Sequence, residues 1–319
     1  MTLMHERQIL EYEKTLFQLK EQNVAHNLLS QEEVLQLEDK LLQLKERVYS
    51  GLSPVERVAI CRHPARPRAI DYIKNLCENF TEIFGDRLYR DDPAIIAGFA
   101  TISGVKFMVV AQEKGCDTES RLKRNFGMPH PEGYRKAMRC MELAAKFKLP
   151  VLSLLDTPGA YPGLAAEERG QGFAIAHNLR EMALLPTPIL IVLIGEGCSG
   201  GALGMGVGDT IAMLEHSYYS VISPEGCASI LWKDSKKNNI AAQALRMQSE
   251  DLLAWEIIDA VIQEPLGGAH YDPQLVYSRT KEYILSQWEL FKDVPSKTLL
   301  EKRYEKFRRM GRVLIAEGK

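Results

Sequence analysis

One stretch constrains the fold more than any other. Gly195-Glu196-Gly197-Cys198-Ser199-Gly200-Gly201-Ala202-Leu203-Gly204 follows directly on the apolar run at 189–194. The run predicts a buried strand. The small residues after it, up to Val207-Gly208, predict a short, closely packed helix. Glycines at a strand-to-helix junction let the backbone approach a neighbour or ligand more closely than a side chain allows. The first amides of such a helix have no partner inside it and carry partial positive charge. A site for an anion, made of main-chain hydrogens, follows. The matching chemistry is one in which negative charge develops on an oxygen.

The rest of the chain supplies the frame. Strand-like segments at 95–102, 105–112, 149–155, 188–194, 211–214, 218–222 and 260–263 alternate with helical patterns at 131–148, 167–184, 199–207, 224–232 and 240–247. This alternation predicts an α/β fold with a largely parallel sheet and right-handed crossovers. Ser103-Gly104 predicts a hairpin between the first two strands. Residues 68–80 read as a helix with Ile70, Ile73, Leu76 and Cys77 on one face, and Ser53-Pro54-Val55-Glu56 as a helix start with proline at its first position. From Pro273 the pattern is amphipathic and helical, broken near Pro295.

Near the N-terminus, Ile9, Tyr12, Leu16 and Leu19, then Val34, Leu37, Leu41, Leu44 and Val48, recur at alternating spacings of three and four. These seams predict a helical hairpin, with a break at 23–27 and a Ser30/Glu33 capping box opening the second helix. Short amphipathic helices need something to pack on. Either a partner or the chain's own core can serve. The expected division is an N-terminal arm at 1–52, a core at 53–265, and a C-terminal helical segment at 266–319 packed on the core or on a partner.

Composition narrows the function. The 319 residues, 45% of them apolar, support a sizeable core, and a net charge of −2 gives no reason to expect nucleic acid. The longest mostly apolar stretch, 183–194, is interrupted by Pro186 and Pro188 and is too short for a bilayer. No basic–apolar–small leader pattern opens the sequence. Six scattered cysteines without a CxxC predict buried free thiols rather than disulfides or zinc. His177 and His216 sit in no ligand pattern, so no metal is expected. Together these features predict a cytoplasmic protein.

Three further segments carry possible chemistry. Asp156-Thr157-Pro158-Gly159-Ala160-Tyr161-Pro162-Gly163 closes one strand, where α/β sheets place their ligands. If that strand neighbours 188–194, its loop and the glycine turn face one pocket. Glu167-Glu168-Arg169-Gly170-Gln171-Gly172 opens a helix; its carboxylates read as dipole partners rather than an acid/base pair. Arg124-Asn125-Phe126-Gly127-Met128-Pro129-His130-Pro131-Glu132-Gly133-Tyr134 precedes a helix whose Arg135, Lys136 and Arg139 are either a solvated face or a contact for phosphates. Gly197-Cys198-Ser199-Gly200-Gly201 also fits the G-x-S-x-G nucleophile elbow, with Asp259 and His270 available in the right order. No HGGG-type segment lies upstream, and Ser199 has a simpler role as a helix cap.

These segments together resemble the alpha subunits of bacterial acetyl-coenzyme A carboxylase carboxyltransferases. The resemblance is carried by residues 124–136, 156–163, 195–203, 220–233 and Glu264-Pro265-Leu266-Gly267-Gly268-Ala269-His270, and spans about 5–315. It implies a crotonase/ClpP-like fold of repeated ββα units around a mixed, largely parallel sheet. It implies a beta subunit, an α₂β₂ assembly with the active site between unlike chains, a biotin carboxyl carrier protein and a biotin carboxylase, with ATP used only at that carboxylase. Acetyl-CoA and malonyl-CoA are then substrate and product, and fatty-acid synthesis the context. The amides of Gly200, Gly201 and Ala202 should steady negative charge on the biotin ureido oxygen, and Gly159, Ala160, Tyr161, Gly197 and Ser199 should line the pocket. Replacing Gly201 by valine is expected to spare assembly while transfer falls by at least ~10²-fold.

Four positions depart from the family pattern: Cys198 stands where glycine is common, Gly172-Phe173 replaces a more polar pair, and Trp255 replaces a small residue. Cys198 raises the question of whether the turn needs a positive φ there. Two other readings compete: an acyl-CoA hydratase or isomerase of the same fold, which needs a side-chain acid or base in the pocket, and a noncatalytic scaffold.

Overall fold

The computed structural model describes residues 3–26 and 29–311. One mixed sheet organises it. Strands β1 (Asn79–Glu82), β2 (Ile95–Ile102), β3 (Val105–Gln112), β4 (Val151–Thr157), β5 (Ile189–Cys198), β6 (Thr210–Leu214), β7 (Tyr218–Ser220) and β8 (Ala260–Ile262) run in the order β1-β2-β3-β4-β5-β6-β8, with β7 paired to the far end of β5. The β1–β2 and β2–β3 pairs are antiparallel; every pairing from β3 onward is parallel. Ser103 and Gly104 both take positive φ at the β2–β3 turn, as a tight hairpin requires. Every residue of β4 and β5 is buried, which is why these strands read as unbroken apolar runs rather than as alternation.

The helices are α1 (Arg7–His26), α2 (Gln31–Ser50), α3 (Pro54–Cys61), α4 (Ala69–Leu76), α5 (Thr118–Lys123), α6 (Pro131–Phe147), α7 (Leu164–Glu168), α8 (Gln171–Leu184), α9 (Ser199–Leu203), α10 (Pro224–Trp232), α11 (Asn238–Leu245), α12 (Ser249–Ala254), α13 (Pro273–Phe291) and α14 (Ser296–Arg309). One sheet face packs on Tyr134, Met138 and Met141 of α6 and Ala174 and Met182 of α8. The other packs on Tyr72 and Leu76 of α4 and Val276 and Ile284 of α13. The C-terminal helices lie on this chain's own core. Fully buried Arg303 of α14 binds Asp209 through two nitrogens (2.9 and 2.7 Å) and donates to the carbonyls of Met182, Leu185 and Thr187.

At the other end, α1 and α2 fold on each other, with ion pairs Glu13–Lys45 (2.6 Å) and Lys20–Glu38 across one side. The Ser30/Glu33 box forms, with Ser30 N donating to Glu33 (2.8 Å) and Glu33 N to Ser30 (3.2 Å). The expected break does not begin at Asn23, because α1 continues to His26; Asn27 lies outside the described residues. The base of the hairpin is held by the chain itself. Tyr49 donates to buried Glu6 (2.9 Å), and Ile9, Tyr49, Leu52 and Ile60 share a cluster.

Three elements differ from expectation. The helix at 68–80 ends at Leu76; Cys77 is extended, and Phe80 and Thr81 join the edge strand β1, where aromatic and β-branched residues suit a pleated surface. The helix at 167–184 is two helices, because Gly170 (φ 80°) turns the chain between α7 and α8. The glycine helix stops at Leu203 rather than at Val207.

Candidate active site

Adjacency of β4 and β5 brings the two glycine-containing motifs together. Thr157 pairs with Gly197 after a register shift, so both loops leave the same edge of the sheet. They touch backbone to backbone. A Cβ on Gly201 would lie 2.4 Å from the carbonyl carbon of Gly159 and 2.5 Å from Ala160 N. Only a residue without a side chain permits that approach. The Gly201 carbonyl is fixed from behind by Gln112 Nε2 (2.7 Å) and the Tyr134 hydroxyl (3.2 Å).

The turn into α9 is sharper than a simple cap. Cys198 is extended (φ −115°, ψ 133°) and buried, so cysteine fits where the family often has glycine. Burial pushes its thiol up to about 11. The left-handed residue is Ser199, at φ 56°. Ser199 is therefore not the cap expected from sequence: it is exposed and opens the helix, and the cap position falls to Cys198, whose side chain makes no capping bond. A non-glycine residue in this conformation stores strain, which collects at functional turns.

That geometry leaves donors unused. Gly200 and Gly201 stand in the first turn of α9, where amides have no partner inside the helix. No hydrogen bond among the described residues takes either amide. Ser199 and Gly200 open onto a cavity of about 360 Å³ walled by Leu203, Tyr219, Val221, Ile257 and Phe307. Ala202 lies deeper and is fully buried. Gly197 sits inside β5 against Leu193 and Tyr219 rather than at the mouth.

The 124–134 segment packs against the 156–163 loop. Asn125, Phe126 and Gly127 all take positive φ, and the Thr157 hydroxyl donates to the Gly127 carbonyl (2.7 Å). Tyr161 N donates to Pro129 O (3.0 Å), and Gln171 Nε2 donates to both Pro129 O (2.8 Å) and Tyr161 O (3.0 Å). The Tyr161 ring packs on His130 at 4.2 Å. Gly159 and Ala160 sit between this segment and α9, half-buried. Of the three cations singled out on α6, Lys136 is buried, and the partly exposed Arg135 and Arg139 are also engaged by the chain itself. Arg135 binds Asp86 (2.7 Å), Lys136 is buried against Asp91 and Ile95 O (both 2.8 Å), and Arg139 donates to Gly85 O (2.8 Å). All three tie the 84–91 loop to α6.

Beneath the loops lies a charge network that the sequence motifs did not disclose. Lys114, just past β3, binds Asp156 (2.6 Å) and Glu196. Arg68 reaches Asp156 (3.3 Å); Arg62 reaches Glu196 (2.7 Å) and Glu225 (2.9 Å); the Tyr218 hydroxyl donates to Glu196. Burial raises the Glu196 carboxyl, but Lys114 and Arg62 outweigh it and hold the group far below the usual range. Burial likewise disfavours the Lys114 cation, and Asp156 and Glu196 more than compensate, so it stays charged. The signal available in the sequence was a charged Glu113-Lys114 pair at the carboxyl end of a buried strand.

This arrangement removes two readings. Asp156 and Glu196 are bound by cations, so neither is a free acid or base for a hydratase. For a hydrolase, Asp259 accepts from Ile211 N (2.6 Å) and pairs with Lys306, while His270 stacks on His63 at 3.8 Å. No described contact joins them to Ser199. Among the described residues no cluster could hold a metal, and no helix is long and apolar enough to cross a membrane. Of the departures, Phe173 is exposed beside His177, and Trp255 lies under Arg246 at 5.1 Å.

Known proteins share this chain's features. The family described as acetyl co-enzyme A carboxylase carboxyltransferase-like matches residues 2–311. The acetyl-coenzyme A carboxylase carboxyl transferase subunit alpha of Chlamydia muridarum is 62% identical over 309 residues, covering 97% of this chain and 95% of that protein. The protein of the same name from Chlamydia trachomatis serovar L2 is 60% identical over the same shares. Among solved structures, transcarboxylase 12S with methylmalonyl-coenzyme A and methylmalonic acid bound superposes with a TM-score of 0.59 at 18% identity, covering 74% of this chain and 44% of that one. That likeness shows the crotonase-like fold.

Proposed function

The chain belongs to the acetyl-coenzyme A carboxylase carboxyltransferase-like family, and from that premise we propose how its glycine turn performs carboxyl transfer. It is the alpha subunit of a transferase that acts with a beta subunit on acyl-CoA, with biotin as the carboxyl carrier. The reaction moves the carboxyl group of carboxybiotin to acetyl-CoA and yields malonyl-CoA. The observation that carries this reading is the unbonded amides of Gly200, which lines an apolar cavity, and of Gly201, buried directly behind it.

The cavity suits a flat, largely apolar bicycle with one polar edge: its walls include Leu203, Tyr219, Ile257 and Phe307, and Ser199, Gly200 and Ser220 make its polar side. Carboxybiotin, when bound, supplies the carboxyl group as CO₂ and leaves negative charge on its ureido oxygen. The amides of Gly200 and Gly201, with Ala202 behind them, meet that charge. Such donors cost no reorganisation because the loop contact at Gly159 and Ala160 already fixes them. One donor of this kind contributes roughly 3–4 kcal/mol to lowering the barrier. Ser199 lines the cavity and would border a bound ring, Tyr161, pinned on His130, would reach it from the neighbouring loop, and Gly197 keeps β5 close to Tyr219. Among the described residues, none that lines the cavity is a carboxylate, histidine or lysine, which agrees with a reaction whose proton is taken by the substrate itself.

Half the pocket is supplied by the partner. We assign an α₂β₂ assembly in the cytoplasm, served by a biotin carboxyl carrier protein and an ATP-dependent biotin carboxylase. Residues 1–52, 53–265 and 266–319 act as arm, core and C-terminal cover. Packing of Tyr49 on Glu6 and of Arg303 on Asp209 supports that division. The test is co-purification with the beta subunit followed by biotin-dependent decarboxylation of malonyl-CoA. Activity is expected from the pair and from neither chain alone; robust turnover by this chain without a partner contradicts the split site.

A further inference from the structure

Lys114 touches all three segments that build the site. Its ammonium binds Asp156, at the start of the 156–163 loop, and Glu196, at the start of the glycine turn. Its stem occupies the space left by Gly127, where a Cβ would lie 2.3 Å from Lys114 Cγ. The side chain is buried, so no water screens these contacts. Asp156 extends the link by accepting from Glu196 N (2.9 Å). Gln112, two residues before Lys114, accepts from Asp156 N (3.2 Å) and donates to Gly201 O (2.7 Å). A displacement at Lys114 therefore reaches the carbonyl of Gly201, one residue's backbone away from the Gly201 amide.

We propose that Lys114 is a positioning residue for carboxyl transfer: it clamps the 124–134 segment, the 156–163 loop and the glycine turn at the spacing in which the Gly200 and Gly201 amides meet the developing charge. This rests on the reading of those amides given above. The surrounding charges define what its loss does. From α3 and the residues after it come Cys61 and Arg62, from the start of α4 Arg68, from β4 Asp156, from β5 Glu196, from β7 Tyr218, and from α10 Glu225. Arg62, Arg68 and Lys114 balance Asp156, Glu196 and Glu225. Without Lys114 one buried carboxylate lacks its cation, a strongly unfavourable state that the loops relieve by separating. Protonating that carboxylate supplies a hydrogen to share and lets them close again.

The experiment uses the assembled alpha–beta enzyme and malonyl-CoA decarboxylation with free biotin. Lys114→Met should lower kcat by about 10²-fold at about pH 8, with KM for malonyl-CoA within about threefold, as expected for misplacement near 1 Å. Its kcat should recover by roughly tenfold by about pH 6 relative to wild type, as a carboxylate takes up the missing proton. Lys114→Met/Glu196→Gln, which removes one cation and one anion together, should keep kcat within about tenfold of wild type with an unshifted pH profile. This variant carries the test if the single variant does not assemble. The proposal is overturned by a single variant within about threefold of wild-type kcat, by a loss that follows the wild-type pH profile, or by a double variant that is inactive or unassembled. If Gly201→Ala proves fully active while Lys114→Met behaves as stated, the amide reading falls and the clamp stands.

Discussion

Gly201→Ala places one methyl group in the seam between the two site loops. The new Cβ would sit 2.4 Å from the Gly159 carbonyl carbon, 2.5 Å from Ala160 N and 2.7 Å from Gly159 Cα, and ordinary contact begins near 3.4 Å. The obstacles are backbone atoms, so no side chain can swing away, and the loops must part by about 1 Å. Overpacking of this kind costs about 1–3 kcal/mol of stability. The displacement also draws the Gly201 amide off its target, and misplacement of that size lowers turnover by about 10²-fold. Gly200→Ala is the internal control. Its Cβ would meet only Ile175, at 3.5 Å, in helical backbone that alanine favours by nearly 1 kcal/mol. In the assembled enzyme Gly200→Ala should equal or slightly exceed wild-type thermal stability and keep kcat within about tenfold, while Gly201→Ala falls by about 10² or more. The same clearances change what is expected of Gly201→Val: a larger side chain meets the same backbone, so the variant should lose stability as well as transfer. Gly201→Ala with unchanged melting temperature and kcat within about threefold of wild type would refute the reasoning.

Other outcomes follow from single contacts. Ser199→Gly removes the left-handed strain and should raise stability by about 1 kcal/mol in urea unfolding. Arg303→Met leaves Asp209 buried without its cation and three carbonyls without their donor, and should cost about 3–5 kcal/mol by the same measurement. His270 is held down at about 4 by burial, with His63 adding repulsion. The folded state therefore favours the neutral ring, while the unfolded ring takes its proton near pH 6.5. Its contribution is complete above that value and is lost as pH falls toward about 4. His270→Asn should accordingly become less destabilising, relative to wild type, between about pH 7 and pH 4, as read from urea midpoints.

Local pattern was enough for much of this protein. The β2–β3 hairpin appears at its predicted residues because Ser103-Gly104 can adopt the two positive φ values that a tight turn demands. Helix α10 runs from Pro224 to Trp232 as read, since proline at the first helical position fixes where it begins. The glycine turn was legible because its signal, missing side chains after an apolar run, is itself a statement about backbone. Signals of opposite kind failed. Nothing local distinguishes Lys136, buried against Asp91, from a solvated lysine at the same helical spacing. Nothing in Glu196 or Asp156 names Lys114, Arg62 or Arg68 as partners, because ion pairs between residues 40 or more apart in the chain depend on which strands become neighbours. The sequence by itself determined where the backbone would be bare and where strands and helices would alternate, since both follow from short-range sterics and periodicity. Only the tertiary structure decided that β4 and β5 lie side by side, that the strained residue is Ser199 rather than Cys198, and which charges lock the loops. Those outcomes come from close packing and burial of charge, which act between segments that the chain order keeps apart.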